Sequence, residues 1–403
     1  MSRVLMLSEH AGSIDRRIIA EANALVESGR SVTLVSVPAE VPGECLDARV
    51  RVVMPPAGRD GGRRAWLSRS LRRLAPGVHE SLRLLCYGLG AGPIARWTAF
   101  FRVHTPAERF DVIHAHDLPT LPAALALRER LPAARVVYDT HELFPFQFAD
   151  ARLERYWARV ENACIRRADA IVTVNDALAD ELARRYGLPA PTVVHNSCGV
   201  GAAAPPLAPE DFAAHFGARG LAFTVLYQGN LSPGRNLETL VRAFGRLDDG
   251  ARLFMLGDGP LEPELRTLAG REGGGRVFFG RRVPQAALLA YTARADLGII
   301  PYLPAACLNT RLCTPNKLYE FIEAGVPICA SDLPELRRIV TGHRIGEVFD
   351  MHTPDAIASA VTRCRQRIAQ GGFDPACQRE ARAYYAWPGQ ARRLLDLYAR
   401  LGV

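Results

Sequence analysis

Short runs of apolar, largely β-branched residues alternate along this chain with stretches in which apolar residues recur at helical spacing. The first run is Val4–Leu7. After it, Ile18, Ala22, Leu25 and Val26 share one face of a helix beginning near Arg17, with Gly29 placed to stop it. Further runs stand at 32–37, 50–54, 111–114, 135–139, 170–174 and 192–195. Short buried strands separated by helices predict βαβ units and a parallel sheet, because a parallel pair needs a crossover and is covered on both faces. Residues 199–209, GVGAAAPPLAP, have the composition of a linker. The pattern then restarts, with strands expected at 223–227, 252–256, 276–279, 297–300 and 327–330. Leu237, Leu240, Val241, Phe244 and Leu247 lie at helical spacing between the first two. The segment from Gln378 to Leu401 reads as one or two helices carrying Trp387 and Tyr398. The expected fold class is α/β, two doubly wound halves of similar size. Ligand is expected in a cleft between them, beyond the carboxyl ends of the strands.

Composition agrees with that picture. The 403 residues suggest two to three domains at about 150 residues each. Hydrophobic residues at 48% and charged residues at 23% are ordinary globular values, which excludes a disordered, collagenous or disulfide-stapled chain. Apolar runs such as Leu297–Leu303 fall far short of the roughly 20 residues of a membrane span. The N-terminal apolar run is too short for an export signal, and Glu9 follows it at once. Nine scattered cysteines without a Cys-x-x-Cys pair fit a reduced, cytoplasmic compartment.

Net charge is +8, and of the 50 basic residues only Lys317 is lysine. Arg59 to Arg102 carries nine arginines against Asp60 and Glu80. Such charge suits anionic lipid, nucleic acid or a phosphorylated substrate, although on charge alone a solvated basic surface is the plainer reading.

The strongest chemical signal is CTPNKLYEFIEAGVPICAS, Cys313 to Ser331. Thr314 is expected as N-cap, Pro315 as the first helical residue and Lys317 as the third, where a cation opposes the helix macrodipole. An anion at the free backbone N–H groups would reverse that penalty. Glu320, three residues on, can reach the same ligand and accept hydrogen bonds from a ribose. The plainer reading is an i, i+3 surface ion pair; the placement of the chain's one lysine favours a ligand. In YQGNLSPGRNLETL, Tyr227 to Leu240, a buried strand runs into Gly229, where backbone can approach a ligand, and Arg235 is placed to clamp a diphosphate. LGDGP at Leu256–Pro260 reads as a structural turn beside it. DVIHAHDLPT and VVYDTHELFP each follow a strand, clustering His114, His116, Asp117, Asp139, His141 and Glu142 at the mouth of the first sheet. Such a group can supply a general base or orient a sugar hydroxyl. A metal is the weaker reading, and His114 is expected as a satisfied core histidine. In GSIDRR, Asp15 can simply cap the first helix. Gly12 without a Gly-x-Gly-x-x-Gly pattern argues against a dinucleotide fingerprint, and the absence of phosphate-loop, Gly-x-Ser-x-Gly and His-Glu-x-x-His motifs removes phosphate-loop ATPases, common hydrolases and zinc proteases as leading readings.

Taken together, DRRI through SGRSVTLVS, DVIHAH, YDTHE, ADAIVTVN, QGNLSPGRNLETL, LFMLGDGP, FFGRRVPQAALLAYTARADLGIIPY and PNKLYEFIEAGVPICAS resemble the retaining glycosyltransferases of GT-B fold, family 4. The resemblance covers nearly the whole chain. It implies two Rossmann-like domains facing across a cleft. The N-terminal one, 1–200, would bind acceptor and the C-terminal one, 201–377, the nucleotide sugar, with helices at 378–403 returning to the first. It also implies that Glu320, the second Glu of the family's E-x7-E motif, holds the donor ribose. At the first Glu, which faces the donor sugar in the family, this chain has Leu312. The family's diphosphate-gripping Arg and Lys fall near Asn230 and Arg235, so Lys317 is expected to supply the second positive centre. Gly229, Pro315 and Asn316 complete the donor set, and Gly12 lets the N-terminal loop approach the phosphates. His116 matches the histidine expected near the reacting sugar; Asp139, His141 and Glu142 fit a variant motif and join it as the catalytic set. Asp15 and Arg16 are expected on the acceptor side.

The implied reaction is glycosyl transfer, probed first with a UDP-sugar and then with GDP- or dTDP-sugars, to an acceptor hydroxyl. No metal or cofactor is required where cations and helix N-terminal amides stabilise the leaving diphosphate. The acceptor is expected to be a saccharide or lipid-linked saccharide of envelope polysaccharide or glycolipid assembly. Trp66, Leu67, Leu71, Leu74, Leu82, Leu84, Leu85 and Trp97, interleaved among the arginines, could lie on anionic lipid at the inner face of the cell membrane. A soluble acceptor, with those residues packed as ordinary helices, is the contrasting reading. The alternatives are a nucleotide-sugar epimerase of the same fold, which Leu312 does not favour, and a non-catalytic sugar-nucleotide-binding subunit. Nucleic acid is not an expected partner, because no binding module is recognisable.

Overall fold

The computed structural model describes residues 1–9, 12–40, 45–55, 92–131, 134–148, 150–197, 206–248, 250–304 and 307–403. They form two units: Met1–Val194 together with Ala391–Val403, and His195–Gln390.

The described strands of the first unit are β1 (Arg3–Ser8), β2 (Gly12–Ser13), β3 (Ser31–Ser36), β4 (Ala39–Glu40), β5 (Arg51–Val53), β6 (Val112–His116), β7 (Arg135–Thr140), β8 (Ala170–Thr173) and β9 (Thr192–Val193). Seven of them make one sheet in the order β5-β3-β1-β6-β7-β8-β9, with every pairing parallel. β2 and β4 pair separately. The chain moves outward from β1 through β3 and β5, then returns to place β6 on the other side of β1. That reversal is where open α/β sheets bind ligand. Val4 to Leu7 are fully buried, as a strand covered on both faces requires. The Arg16–Glu27 helix buries Ile18, Ala22, Leu25 and Val26 and ends at Ser28, with Gly29 at φ +88° turning the chain back.

The second unit repeats the plan with β10 (Thr224–Gln228), β11 (Arg252–Leu256), β12 (Val277–Gly280), β13 (Leu297–Ile300), β14 (Ile328–Ser331) and β15 (Gly346–Phe349). Their order is β12-β11-β10-β13-β14-β15, again all parallel, and the reversal falls between β10 and β13. The Leu237–Phe244 helix buries Leu237, Leu240, Val241 and Phe244 in a core shared with β10, β11 and the Pro354–Ala369 helix.

Every expected strand run holds a strand, so the doubly wound α/β reading stands for both units. β2, β4 and β15 are additional. The tail forms two helices, Pro375–Tyr385 and Trp387–Arg400. Residues 378–390 group with the second unit, and the segment grouped with the first begins at Ala391. Residues 199–205 of the expected linker lie outside the described residues, as does the basic stretch to residue 91 with Trp66, Leu67, Leu71, Leu74, Leu82, Leu84 and Leu85. Trp97 lies in the described Pro93–His104 helix, with the Arg96 guanidinium 4.6 Å from its ring centroid.

Candidate active site

In the first unit the chemistry gathers at the carboxyl ends of β6 and β7, where His116 and Asp139 stand opposite each other in register. Strand alternation sends His114 and His116 to one face, and their rings stack with centroids 4.5 Å apart. Asp139 is fully buried. Arg17, on the Arg16–Glu27 helix, grips it with a fork: Nε donates to Oδ2 and Nη2 to Oδ1, both at 2.9 Å. His116 Nδ1 lies 3.2 Å and His141 Nε2 3.1 Å from that same Oδ2. Burial opposes the charge on Asp139, but Arg17, His141 and these hydrogen bonds outweigh it and hold the carboxyl well below its usual range. His141 is likewise penalised by burial, yet Asp117 and Asp139 push it up to about 10, so it is protonated at neutral pH. Its backbone N–H donates to Asp117 Oδ1 at 3.0 Å, and its Nδ1 lies 3.3 Å from Asp117 Oδ2. Asp117 adopts φ +62°, a left-handed conformation unusual for a non-glycine residue, with its own N–H bonded to the Asp139 carbonyl.

Burial pushes both stacked histidines down, His114 the further, so both are neutral at pH 7. His114 Nδ1 meets the Tyr398 hydroxyl at 2.8 Å. Glu21, fully buried, is pushed up to about 8 by burial and Asp139. Glu21, His114, His116 and Asp139 bring donor atoms within 4.8 Å of one another, a grouping a metal ion could use. Here the guanidinium of Arg17 already supplies the cation: it takes both Asp139 oxygens and places Nε 3.1 Å from Glu21.

The remaining first-unit candidates are less central. Asp15 caps the Arg16–Glu27 helix, accepting from the Arg17 N–H at 2.8 Å. Arg16 is half-buried in the first turn and Gly12 lies in β2. Glu142 is half-buried just past β7, and its carbonyl accepts from the Thr140 hydroxyl at 2.6 Å. Burial, Asp117 and Glu142 together push the Glu9 carboxyl up to about 7, against the opposing pull of Arg96.

In the second unit the loops after β10 and β13 meet the start of the Asn316–Ala324 helix. β10 runs into Gly229 at φ +121°. The Gly257–Gly259 turn presses onto this loop: a Cβ at Gly257 would stand 2.1 Å from the Gly229 carbonyl oxygen, and one at Gly259 would stand 2.4 Å from that of Leu231. The LGDGP turn is thus the support of the Gly229 loop. Lys317 is 5% exposed and donates from Nζ to the Tyr302 hydroxyl at 2.8 Å, with Tyr227 and Tyr302 ring centroids 4.2 and 4.8 Å away. The Arg235 guanidinium sits 4.6 Å from the same Tyr302 ring. Burial first, and Arg235 second, lower Lys317 to about 7. Glu320 accepts from Gln228 Nε2, and Gln228 Oε1 accepts from the Thr292 hydroxyl. Asn230 accepts at its carbonyl from the Tyr227 hydroxyl at 3.1 Å, and Asn316 Oδ1 accepts from Asn196 Nδ2 at 3.1 Å.

One local expectation is corrected. Pro315 is the N-cap and Asn316 the first helical residue, so Lys317 stands one place nearer the helix start than expected. The reason is that Pro315 sits at φ −67°, ψ 147°, extended rather than helical. Leu312 ends the short Leu308–Leu312 helix, which Cys307 caps. The structure also adds residues that the sequence reading did not single out: Arg17 and Glu21 in the first cluster, Gln228, Thr292 and Tyr302 in the second. Their only sequence signal was position, Arg17 inside the DRRI segment and Tyr302 at the end of a buried strand run.

Comparison with known proteins follows the same two units. The Glycosyltransferase Family 4 model matches residues 76–200, and the Glycosyl transferases group 1 model matches residues 222–367. No curated protein is matched. Among solved structures, sucrose-phosphate synthase from Thermosynechococcus elongatus is 18% identical, with a TM-score of 0.71 over 100% of this chain and 99% of that one. Anabaena HepE in complex with UDP is 15% identical, TM-score 0.67, over 99% and 100%. A variant of S. aureus TarM, bound to fondaparinux, α-GlcNAc-glycerol and UDP, is 9% identical, TM-score 0.68, over 99% and 100%. At these identities the likeness is one of fold.

Proposed function

The chain is a GT-B glycosyltransferase of the family 4 type, and we propose that it transfers a sugar with retention from a nucleoside-diphosphate sugar, UDP-sugar first, to a hydroxyl of a saccharide or lipid-linked saccharide in envelope polysaccharide or glycolipid assembly. The observation that carries the donor reading is the pairing of Arg235 and Lys317 about one tyrosine ring, beside a glycine loop and a helix start. Two cations and free backbone N–H groups at one place suit a diphosphate. Glu320, with Gln228 holding one oxygen, takes the ribose. The UDP-bound relative HepE supports uridine as the base to try first.

In the proposed reaction the acceptor oxygen bonds to the anomeric carbon as the bond from that carbon to the diphosphate breaks. The nucleoside diphosphate leaves with the electron pair, and the acceptor proton passes to its departing oxygen. Arg235, Lys317 and the amides of the Asn316–Ala324 helix stabilise the charge that develops there. His116 orients a sugar hydroxyl, with Asp139, His141 and Glu142 beside it; the first unit reads the acceptor through Asp15 and Arg16 at the start of its first helix, and Gly12 approaches the phosphates. The enzyme works at the inner face of the cell membrane as a peripheral protein, through its basic stretch.

The test is thermal stabilisation by UDP, GDP, dTDP, ADP and CMP, on wild type and Lys317→Ala. Ligand at about 100 times its dissociation constant adds about 2.7 kcal/mol to stability. A shift for one nucleoside diphosphate that the variant loses is the expected result. Equal shifts in both proteins would overturn the role of Lys317, and no shift for any nucleotide would overturn the donor site.

A further inference from the structure

We infer that Arg17 is a positioning residue for this reaction: by clamping Asp139 it fixes the tautomer and the orientation of His116, which then presents a bare Nε2 to a sugar hydroxyl. This rests on the proposed role of His116 and extends it to a residue that touches no substrate.

A guanidinium is costly to bury, and Arg17 is 4% exposed, in the first turn of its helix and one turn before Glu21. Its nitrogens are engaged inside the protein. Nε and Nη2 hold Asp139, Nη1 donates to the Val194 carbonyl at 2.5 Å, and Nε also faces Glu21. It is therefore not placed to grip an anionic ligand; its work is done on Asp139. A fork of this kind fixes both oxygens of a carboxylate, which a lysine cannot do.

The consequence passes to His116. His116 Nδ1 also lies 3.3 Å from His141 Nε2, but the protonated His141 has its Nε2–H closer to Asp139 Oδ2, at 3.1 Å, and an ionised carboxylate only accepts; the proton between His116 and Asp139 is therefore assigned to His116 Nδ1, which leaves a lone pair on Nε2. Nε2 is buried and, among the described residues, has no hydrogen-bond partner. His114 stacks on one side, itself tied to Tyr398, and the His141 ring stands edge-on 5.5 Å away. Among the described residues, the charged and titratable groups around His116 are Arg17 and Glu21 from the first helix, His114 from its own strand, Asp117 beyond it, Asp139 and His141 from β7 and just after it, and Tyr398 from the C-terminal helix. In this setting Arg17 has two separable effects. Its charge disfavours protonation of His116, and its fork sets the angle at which Asp139 meets Nδ1.

The test is to record imidazole nitrogen–proton spectra of the full 15N-labelled chain as wild type, Arg17→Lys and Arg17→Gln, with the His116 signals assigned from His116→Asn. Wild type is expected to show neutral His116 with its proton on Nδ1, titrating below 6.5. In Arg17→Gln the midpoint rises, since a neighbouring positive charge is gone. Arg17→Lys keeps the low midpoint but shows both tautomers, because charge without the fork does not hold Asp139. A proton on Nε2 in the wild type, or spectra unchanged in the two variants, overturns the inference. The wild-type tautomer can overturn it even if neither variant folds. Turnover of UDP-glucose separates this from the function itself: full activity in His116→Asn removes the role of His116, whatever the spectra show. With that role intact, Arg17→Lys lowers kcat about tenfold and leaves KM for UDP-glucose nearly unchanged, the pattern of an interaction lost only in the transition state.

Discussion

Lys317 stands at a residue position where charge is easily changed. Burial and Arg235 bring it down to about 7, so near neutral pH the free protein holds a mixture of ammonium and amine. A diphosphate placed beside it favours the ammonium and raises its pKa in the complex, so binding takes up a proton. Affinity for UDP is then greatest at and below about pH 7 and weakens as pH rises toward the pKa of the bound state. Titration calorimetry between about pH 7 and 9, in two buffers of different ionisation heat, reads both the affinity and the proton. Lys317→Arg, always charged, is expected to bind UDP with little pH dependence across that interval. A flat wild-type profile would show that Lys317 does not meet the diphosphate. This residue was legible in the sequence because it was the only lysine and stood against a helix dipole. Arg17 was not: it is 122 positions from Asp139, and on a helix it reads as one more polar residue until the strands set the two side by side.

At the scale of elements, legibility followed the length and purity of the apolar pattern. β1, β11 and β13 are built on the unbroken runs Val4–Leu7, Leu253–Leu256 and Leu297–Ile300 and were read directly. β15, Gly346–Phe349, was missed because Glu347 interrupts it, a side chain that reaches Arg363 and Arg367. The helix start at Pro315 was misplaced by one residue, because Thr314 and Pro315 both suit a cap and only the backbone angles decide between them. The LGDGP turn was read as structural, and its geometry agrees, because it packs against the Gly229 loop proposed to meet the donor. Gly257 has φ +148° and rests against the Gly229 carbonyl, so no side chain fits without moving backbone. Gly257→Ala is expected to cost about 1–3 kcal/mol of stability in urea melts. It should also weaken UDP stabilisation, because the displaced loop is the one that holds Gly229. Retained UDP binding at lowered stability would mean that the loop tolerates the shift and is no part of the donor site.

At the scale of the whole chain, the two-part α/β plan was legible because βαβ periodicity is local and repeats, whereas the segment grouped with the first unit, from Ala391, is set by packing that no local pattern announces. Charge is the other whole-chain property. The nine arginines between Arg59 and Arg102 face only two acids, and they alternate with tryptophan and leucine. Among the described residues no helix is long and apolar enough to cross a membrane. The proposed attachment through this stretch is electrostatic, with its arginines drawn to anionic lipid. Each arginine near an anionic leaflet is worth about 1 kcal/mol, and the attraction fades within a Debye length, about 10 Å at 0.1 M salt and about 3 Å at 1 M. The protein should therefore pellet with phosphatidylserine vesicles at low salt and leave them as salt rises, while ignoring neutral vesicles. Replacing Arg63, Arg64, Arg72 and Arg73 by Glu should abolish pelleting and leave thermal stabilisation by UDP intact, because Arg235, Lys317 and Glu320, proposed to hold the nucleotide, lie in the other unit. Pelleting that survives both salt and charge reversal would point to apolar insertion alone. Failure to pellet at low salt would remove the membrane from the proposal and turn the acceptor reading toward a soluble saccharide.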